Sequence, residues 1–246
     1  MNVTLEAITK AIFKSWFVDF EPVQAKADGR APELPKHVAD LFPDSFAEGE
    51  LEGIPKGWSV GTLGDVAKNP RRVVSPEEIE SSTPYIGLEH MPRKCIALSE
   101  WGHADDLESS KFEFKQGEIL FGKLRPYFHK VGVAPLSGVC STDILVVNPR
   151  TPEWFGFVLG HVSSTAFVDY TNAGSTGTKM PRTSWQEMAR YQVAVPPKVA
   201  AAVFTEVTRP FIGRINANIH ESRTLAAVRD SLLPKLVSGE LRVERQ

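Results

Sequence analysis

The sequence has little of what marks a secreted, membrane-bound or zinc-binding protein. Its two cysteines, Cys95 and Cys140, have no Cys or His neighbours at zinc-ligand spacing, so we predict reduced thiols that only pack. No apolar run is long enough to span a bilayer. The first residues, MNVTLEAITK, lack a basic region followed by an apolar stretch, and a secretion signal needs both. A cytoplasmic protein is therefore expected.

The chain also lacks an overall basic excess, because its formal net charge is −2. The charges are unevenly distributed. Residues 28–53 carry seven acidic and two basic residues, 111–150 carry six basic and three acidic, and 171–198 carry four basic and one acidic. Contacts to phosphates need local cations and not a basic whole chain. The composition therefore leaves nucleic-acid binding open.

No motif for a cofactor or a metal stands out. The loop at residues 172–179 is rich in small residues, but it lacks the GxxxxGK[ST] spacing and is followed by Met180-Pro181. We predict no cofactor and no metal. One alternative stays open: Asp106, Glu113 and Lys115 fit the loose pattern of a metal-dependent DNA nuclease. Glu113 and Lys115 also fit the outward positions of a strand whose inward residues are Phe112 and Phe114.

Periodicity and turn residues divide the chain into four parts. Residues 1–21 are predicted to form an N-terminal amphipathic helix that Pro22 stops, and 22–53 an acidic, proline-rich connecting arm with one helical turn near residues 38–42. Residues 54–197 alternate short strands with turns and two helices. Residues 198–246 form a long helix. The predicted fold class is α+β: one mixed α/β domain between a short N-terminal helix and a long C-terminal helix.

The long helix carries an apolar stripe that one domain of this size is not expected to cover. Prolines at 210 and 234 predict a kink or a restart. The stripe favours antiparallel coiled-coil pairing, with a homodimer as the simplest arrangement. Its members, the candidate dimerisation and docking residues, are Val203, Val207, Phe211, Ile215, Ile219, Leu225, Val228, Leu232 and Leu236.

A short internal repeat links the two helices. Thr4-Leu5-Glu6-Ala7-Ile8 matches Thr224-Leu225-Ala226-Ala227-Val228, 220 residues later. At the same offset, the apolar residues 12, 13, 16 and 17 fall on 232, 233, 236 and 237. Such a repeat between the first and the last helix is typical of one unit of a tandem array of helix and domain.

Five stretches carry a resemblance to a known family. They are AIFKSWFVDF at 11–20, IPKGW at 54–58, GEILFGKLRPY at 117–127, AGSTG at 173–177 and LLPKLVSGEL at 232–241. Together they resemble the specificity subunits of type I restriction-modification systems. A complete subunit has two recognition domains and two long helices, whereas this sequence has one of each. The helix start at Lys198–Glu206 also lacks the acidic character common in the family.

The resemblance implies a non-catalytic module that recognises one half of a split double-stranded DNA site. It also implies antiparallel pairing of long helices, and methyltransferase and restriction subunits as partners. Cations interleaved with aromatics around 123–130 suit contact with phosphates and sugars. The candidate DNA-binding residues are Arg71, Arg72, Lys123, Arg125, Tyr127, His129, Lys130, Ser175, Thr176, Thr178, Lys179 and Arg182.

Overall fold

The computed structural model describes residues 1–48, 53–105, 107–177 and 179–241. The described residues form an N-terminal helix, a domain of mixed sheets and short helices, and a long C-terminal helix, so the predicted α+β fold class is confirmed. No helix among them is long and apolar enough to cross a membrane. The helices are α1 (Asn2–Phe17), α2 (Glu21–Ala27), α3 (Lys36–Ala39), α4 (Leu63–Val66), α5 (Phe155–Val162), α6 (Thr165–Ala173), α7 (Trp185–Ala189) and α8 (Lys198–Val237).

The connection after α1 is more structured than its composition predicts. Helix α1 ends at Phe17, and Phe20 takes a left-handed conformation with φ 51°. Pro22 does not stop α1 but lies in the first turn of α2, where a missing N–H costs nothing. The predicted helical turn is α3, slightly earlier than expected. Val23 and Phe42 are fully buried, so this arm packs against the core despite its acidic composition.

In the described part of the chain, the domain contains three small sheets. Strand β1 (Ser59–Thr62) pairs antiparallel with β11 (Gln192–Val195), which joins the two ends of the domain. A second sheet has the order β2-β10-β7-β8 and a third the order β3-β6-β9-β4-β5. Their strands are β2 (Ala67–Lys68), β3 (Val73–Val74), β4 (Pro84–Ile86), β5 (Gly102–His103), β6 (Lys111–Phe114), β7 (Ile119–Gly122), β8 (Val131–Val133), β9 (Gly138–Cys140) and β10 (Ile144–Pro149).

The main hydrophobic core joins the domain to both terminal helices. Phe13, Trp16 and Phe17 of α1 meet Phe157 of α5 and Phe204 of α8, with ring centroids 5.0–6.4 Å apart. Apolar side chains of the second sheet pack on the other side of this cluster. The aromatic residues of α1 therefore serve as core residues of the domain itself.

Helix α8 is continuous from Lys198 to Val237, about 60 Å at about 1.5 Å per residue. It does not restart at either proline. Pro210 leaves the carbonyl of Glu206 without its helical donor, but both residues are exposed, so water can take the donor's place.

The apolar stripe of α8 divides into two halves with different surroundings, which corrects the prediction that all of it faces a partner. Ile215 and Ile219 are buried at 1% and 2% exposure, and Val203, Val207 and Phe211 are half-buried. The domain and α1 already cover this half. The guanidinium carbon of Arg223 lies 3.7 Å from the ring centroid of Trp101. From Thr224 to Val237 the side chains are exposed, apart from the half-buried Ala226. The exposed end of α8 comprises Thr224–Val237 and presents Leu225, Val228, Leu232, Leu233, Leu236 and Val237.

Helix α1 runs antiparallel to the first half of α8. The side-chain nitrogen of Asn218 donates to the side-chain oxygen of Asn2 at 2.7 Å, while Phe17, at the other end of α1, meets Phe204. At the 220-residue offset of the repeat, α1 corresponds to residues 222–237. The repeat thus relates α1, which covers the first half of the apolar stripe, to the exposed end of α8. Among the described residues, no helix covers that exposed end.

Candidate nucleic-acid interface

The segment from Lys123 to Lys130 leaves β7 and makes a tight turn before β8. Arg125 and His129 both adopt left-handed conformations, with φ 50° and 51°, and they flank a single 3-10 turn at Pro126–Phe128. Side chains within this turn differ strongly in exposure. Tyr127 is 50% exposed, whereas His129 is 6% exposed.

The loop after α6 folds back onto this turn. The backbone N–H groups of Thr176 and Arg182 each donate to the other residue's carbonyl, at 3.0 and 2.9 Å, which closes the loop. The N–H of Arg125 donates to the carbonyl of Pro181 at 2.7 Å, and that of Thr183 donates to the carbonyl of Lys123 at 3.0 Å. Two segments that the sequence separates by about fifty residues therefore form one surface.

Arg71 joins the same surface from a third segment. Its φ is 44°, and its N–H donates to the side-chain oxygen of Asn69 at 2.9 Å, which holds the turn after β2. Arg71 and Lys123 line one cavity of about 220 Å³. We call the resulting surface the cationic face. It comprises Arg71, Lys123, Arg125, Tyr127, Thr176, Lys179 and Arg182.

One acid balances part of this charge. The guanidinium of Arg182 donates to the carboxylate of Asp143 at 3.1 Å, and both side chains are partly exposed. Among the described residues, Arg71, Lys123, Arg125 and Lys179 form no ion pair. The face therefore keeps an excess of positive charge although the whole chain is slightly acidic.

Three of the predicted DNA-binding side chains have partners inside the protein, because the fold places acceptors beside them. Arg72 is half-buried and pairs with Glu113 and Glu118. Lys130 donates to the carbonyl of Leu88, and burial lowers its pKa. His129 is buried, its Nε2 lies 2.9 Å from the carbonyl of Ser163, and burial lowers the pKa of its imidazole. We leave all three out of the cationic face.

Two further candidates add nothing to the charge. The hydroxyl of Ser175 donates to the carbonyl of Asn172 at 2.7 Å, an interaction local to the end of α6. Thr178 lies outside the described residues.

Two exposed cations beside the cationic face were not predicted. The guanidinium carbon of Arg93 lies 4.1 Å from the ring centroid of Phe128, and the N–H of Lys94 donates to the carbonyl of His129 at 2.8 Å. An adjacent Arg-Lys pair after Pro92 was the available sequence clue. The sequence alone does not distinguish this pair from an ordinary exposed surface segment. Only the fold shows that it lies beside the Pro126–Phe128 turn.

The residues of the nuclease alternative do not form a metal site among the described residues. Glu113 pairs with Arg72 at 3.4 Å, Lys115 is exposed and Asp106 lies outside the described residues. Within the described ranges, no group of three His, Cys, Asp or Glu side chains is placed to hold a metal ion.

The fold and the surface together define a class of protein: one α+β domain fixed to a long helix, with cations from three segments gathered on one face. Comparison with known proteins is consistent with the family resemblance. The chain is 27% identical over 99% of its length to the type I restriction enzyme MjaIX specificity subunit of Methanocaldococcus jannaschii, and 24% identical over 98% to the HindI specificity subunit of Haemophilus influenzae.

The predicted resemblance is confirmed, because the curated homologues are type I restriction enzyme specificity subunits. No family model matches the chain. A chain from a solved structure concerned with complex assembly of the type I R-M system shares the fold, with a TM-score of 0.50 and 19% identity over 73% of this chain and 46% of that chain. The chain spans 54% and 62% of the MjaIX and HindI subunits, so it covers little more than half of each.

Proposed function

We propose that the chain binds double-stranded DNA through the cationic face and recognises one half of a bipartite site for a type I restriction-modification complex. One observation carries the proposal: in a homologue of specificity subunits, cations from three distant segments converge on one face. Arg71, Lys179 and Arg182 are exposed there, and Lys123 and Arg125 are half-buried. Arginine and lysine on a surface contact phosphates and fix the position of a protein on DNA. We place this activity in the cytoplasm.

The face is better suited to contact the DNA backbone than to choose bases. Arg125 and Tyr127 lie in a stretch that resembles one found in relatives with different DNA targets, so we assign them to phosphate and sugar contacts. The neighbouring loop is closed by backbone hydrogen bonds between Thr176 and Arg182, and the side chains of Thr176, Lys179 and Arg182 are exposed. Base selection would then require other exposed side chains of the same domain.

Binding to a randomised DNA pool, with and without the methyltransferase subunit, tests the proposal. Arg125→Ala and Lys179→Ala should each weaken binding by a similar factor across sequences and reduce the slope of log affinity against log salt by about one. Arg30→Ala removes the same charge from the connecting arm, where Arg30 pairs with Asp28, and is the matched control. Affinity that falls equally in all three variants would refute the assignment to this face.

We further propose that the chain is not catalytic and only directs partner subunits. With Mg²⁺ or Mn²⁺, the purified chain should neither cut nor methylate DNA. Cleavage that is lost on substitution of the exposed Lys115 by alanine would instead support the nuclease alternative.

We propose that the exposed end of α8 is the surface through which the chain assembles. Leu225, Val228, Leu232 and Leu236 recur at spacings of three and four, the pattern of a left-handed helix pair. Two copies that pair antiparallel would present two cationic faces related by a twofold axis, and these would bind inverted half-sites. The exposed end measures only about 21 Å at about 1.5 Å per residue, so we expect weak pairing that the methyltransferase subunit reinforces.

Light scattering over a concentration series tests the assembly. Substituting aspartate at both Leu225 and Leu232 should give monomers that keep their fold, because both side chains are exposed. Val18→Asp is the control, since Val18 is a 50% exposed apolar side chain outside the stripe. If the unmodified chain is monomeric at all concentrations and binds one asymmetric site, the homodimer is wrong and a methyltransferase helix must cover the exposed end.

A further inference from the structure

The cavity that Arg71 and Lys123 share lies between three segments. The turn after β2 forms one wall, strands β6 and β10 and the residue after β7 contribute the floor, and the start of α7 closes the far side. Its volume is about 220 Å³. It is lined by Asn69, Arg71, Phe112, Lys123, Leu145, Thr183, Ser184, Trp185 and Gln186.

The lining has an apolar part, a cationic part and a neutral polar part. Phe112, Leu145 and Trp185 supply carbon surface, whereas Arg71 and Lys123 supply positive charge. Among the described residues, neither cationic side chain has a carboxylate partner or a hydrogen-bond acceptor. Within the described ranges, no acidic side chain lines the cavity. This combination indicates a ligand that is anionic at one end and apolar at the other.

Thr183 provides an independent observation. Its side chain lines the cavity at 4% exposure, and its hydroxyl oxygen has no hydrogen-bond partner within the described part of the chain. A buried hydroxyl without a partner costs stability, so native proteins rarely retain one. The backbone N–H of Thr183 is bonded to the carbonyl of Lys123, which holds the threonine beside that cation. A ligand oxygen that accepts from this hydroxyl would explain the arrangement.

We propose that this cavity takes one sugar–phosphate unit of the DNA backbone. The phosphate oxygens accept hydrogen bonds from Arg71, Lys123 and the Thr183 hydroxyl, and the deoxyribose packs against Trp185 and Leu145. A phosphate is favoured over a base edge because Arg71 and Lys123 bring two positive charges to one small cavity, and a phosphate carries a full negative charge whereas a base edge carries none. The proposal rests on the proposed function, and it assigns the cavity to positioning and not to base choice.

Thr183→Val tests the proposal directly, because valine keeps the shape and removes the hydroxyl. Affinity for a randomised DNA pool should fall about tenfold, since a hydrogen bond to a charged group is lost. The melting temperature should stay the same or rise, because the folded protein loses an unsatisfied group. Arg71→Met and Lys123→Met should each reduce the salt slope by about one.

Thr171→Val is the matched control. Thr171 is fully buried in α6, and its hydroxyl donates to the carbonyl of Val168 at 2.9 Å. This variant should lose thermal stability and keep its DNA affinity. If the unmodified chain binds DNA and Thr183→Val binds it equally well, the inference is overturned.

A measurement without DNA separates this inference from the proposed function. In protein labelled with ¹⁵N at tryptophan, 2-deoxyribose 5-phosphate should shift the indole resonance of Trp185, which Trp185→Phe identifies. The shift should disappear when Arg71 and Lys123 are both methionine. If the Trp185 resonance shifts but the chain binds no DNA, both the assignment of DNA as the ligand of the cavity and the proposed function are overturned. DNA binding without any shift, with full affinity in all cavity variants, would overturn the cavity inference alone.

Discussion

Helix α8 has a covered half and an exposed half. We therefore predict that replacing a large apolar side chain by alanine lowers the free energy of unfolding far more in the covered half. Ile215 is 1% exposed within the main core, so Ile215→Ala should destabilise the protein by about 3 kcal/mol, from the lost burial and the cavity left behind. Leu232 is 41% exposed on the same helix, and Leu232→Ala should cost the monomer less than about 0.5 kcal/mol. For a chain of this size, the first change lowers the melting temperature by about 6–12 °C.

Thermal unfolding followed by circular dichroism measures both variants. A dilution series separates stability of the chain itself from stability gained by association, because only the second depends on concentration. Leu232→Ala should match the unmodified chain when dilute and fall below it when concentrated. The reasoning would be refuted if Ile215→Ala lost less than about 1 kcal/mol, or if Leu232→Ala were equally damaging at the lowest concentration.

Two further predictions concern the core. Burial lowers the pKa of His161 to about 3, so below about pH 6.5 only the unfolded chain takes up this proton. The free energy of unfolding therefore falls as pH decreases through that window. Relative to the unmodified chain, His161→Leu should therefore gain about 2 kcal/mol between pH 7.5 and pH 5 in urea unfolding, and parallel pH curves would contradict this. A Cβ at Gly160 would lie 2.1 Å from the ring of Phe13, so Gly160→Ala should destabilise by about 1–3 kcal/mol, whereas Gly213→Ala, in open space on α8, should stabilise by about 0.5–1 kcal/mol. Equal effects of the two glycine substitutions in urea titrations would show that α1 does not pack against α5 as described.

The sequence was sufficient for the fold class, the long C-terminal helix and the family resemblance. These follow from local patterns: apolar residues every three or four positions, short runs between turn residues, and stretches such as LLPKLVSGEL at 232–241. The boundaries near Pro22 were less accurate, because a proline that ends one helix and a proline that begins the next have the same local sequence appearance.

Only the tertiary structure decided what covers each apolar face. It also decided which of the described cations form ion pairs within the protein. Periodicity shows that α8 has an apolar stripe, but not that α1, about two hundred residues earlier, covers its first half. Arg72 and Arg71 are neighbours in sequence, yet only Arg72 meets Glu118, because strand pairing brings together residues 46 positions apart. The cavity at Thr183 likewise needs three separate segments. Long-range pairing of this kind leaves no local pattern, since each partner must suit only its own strand or turn.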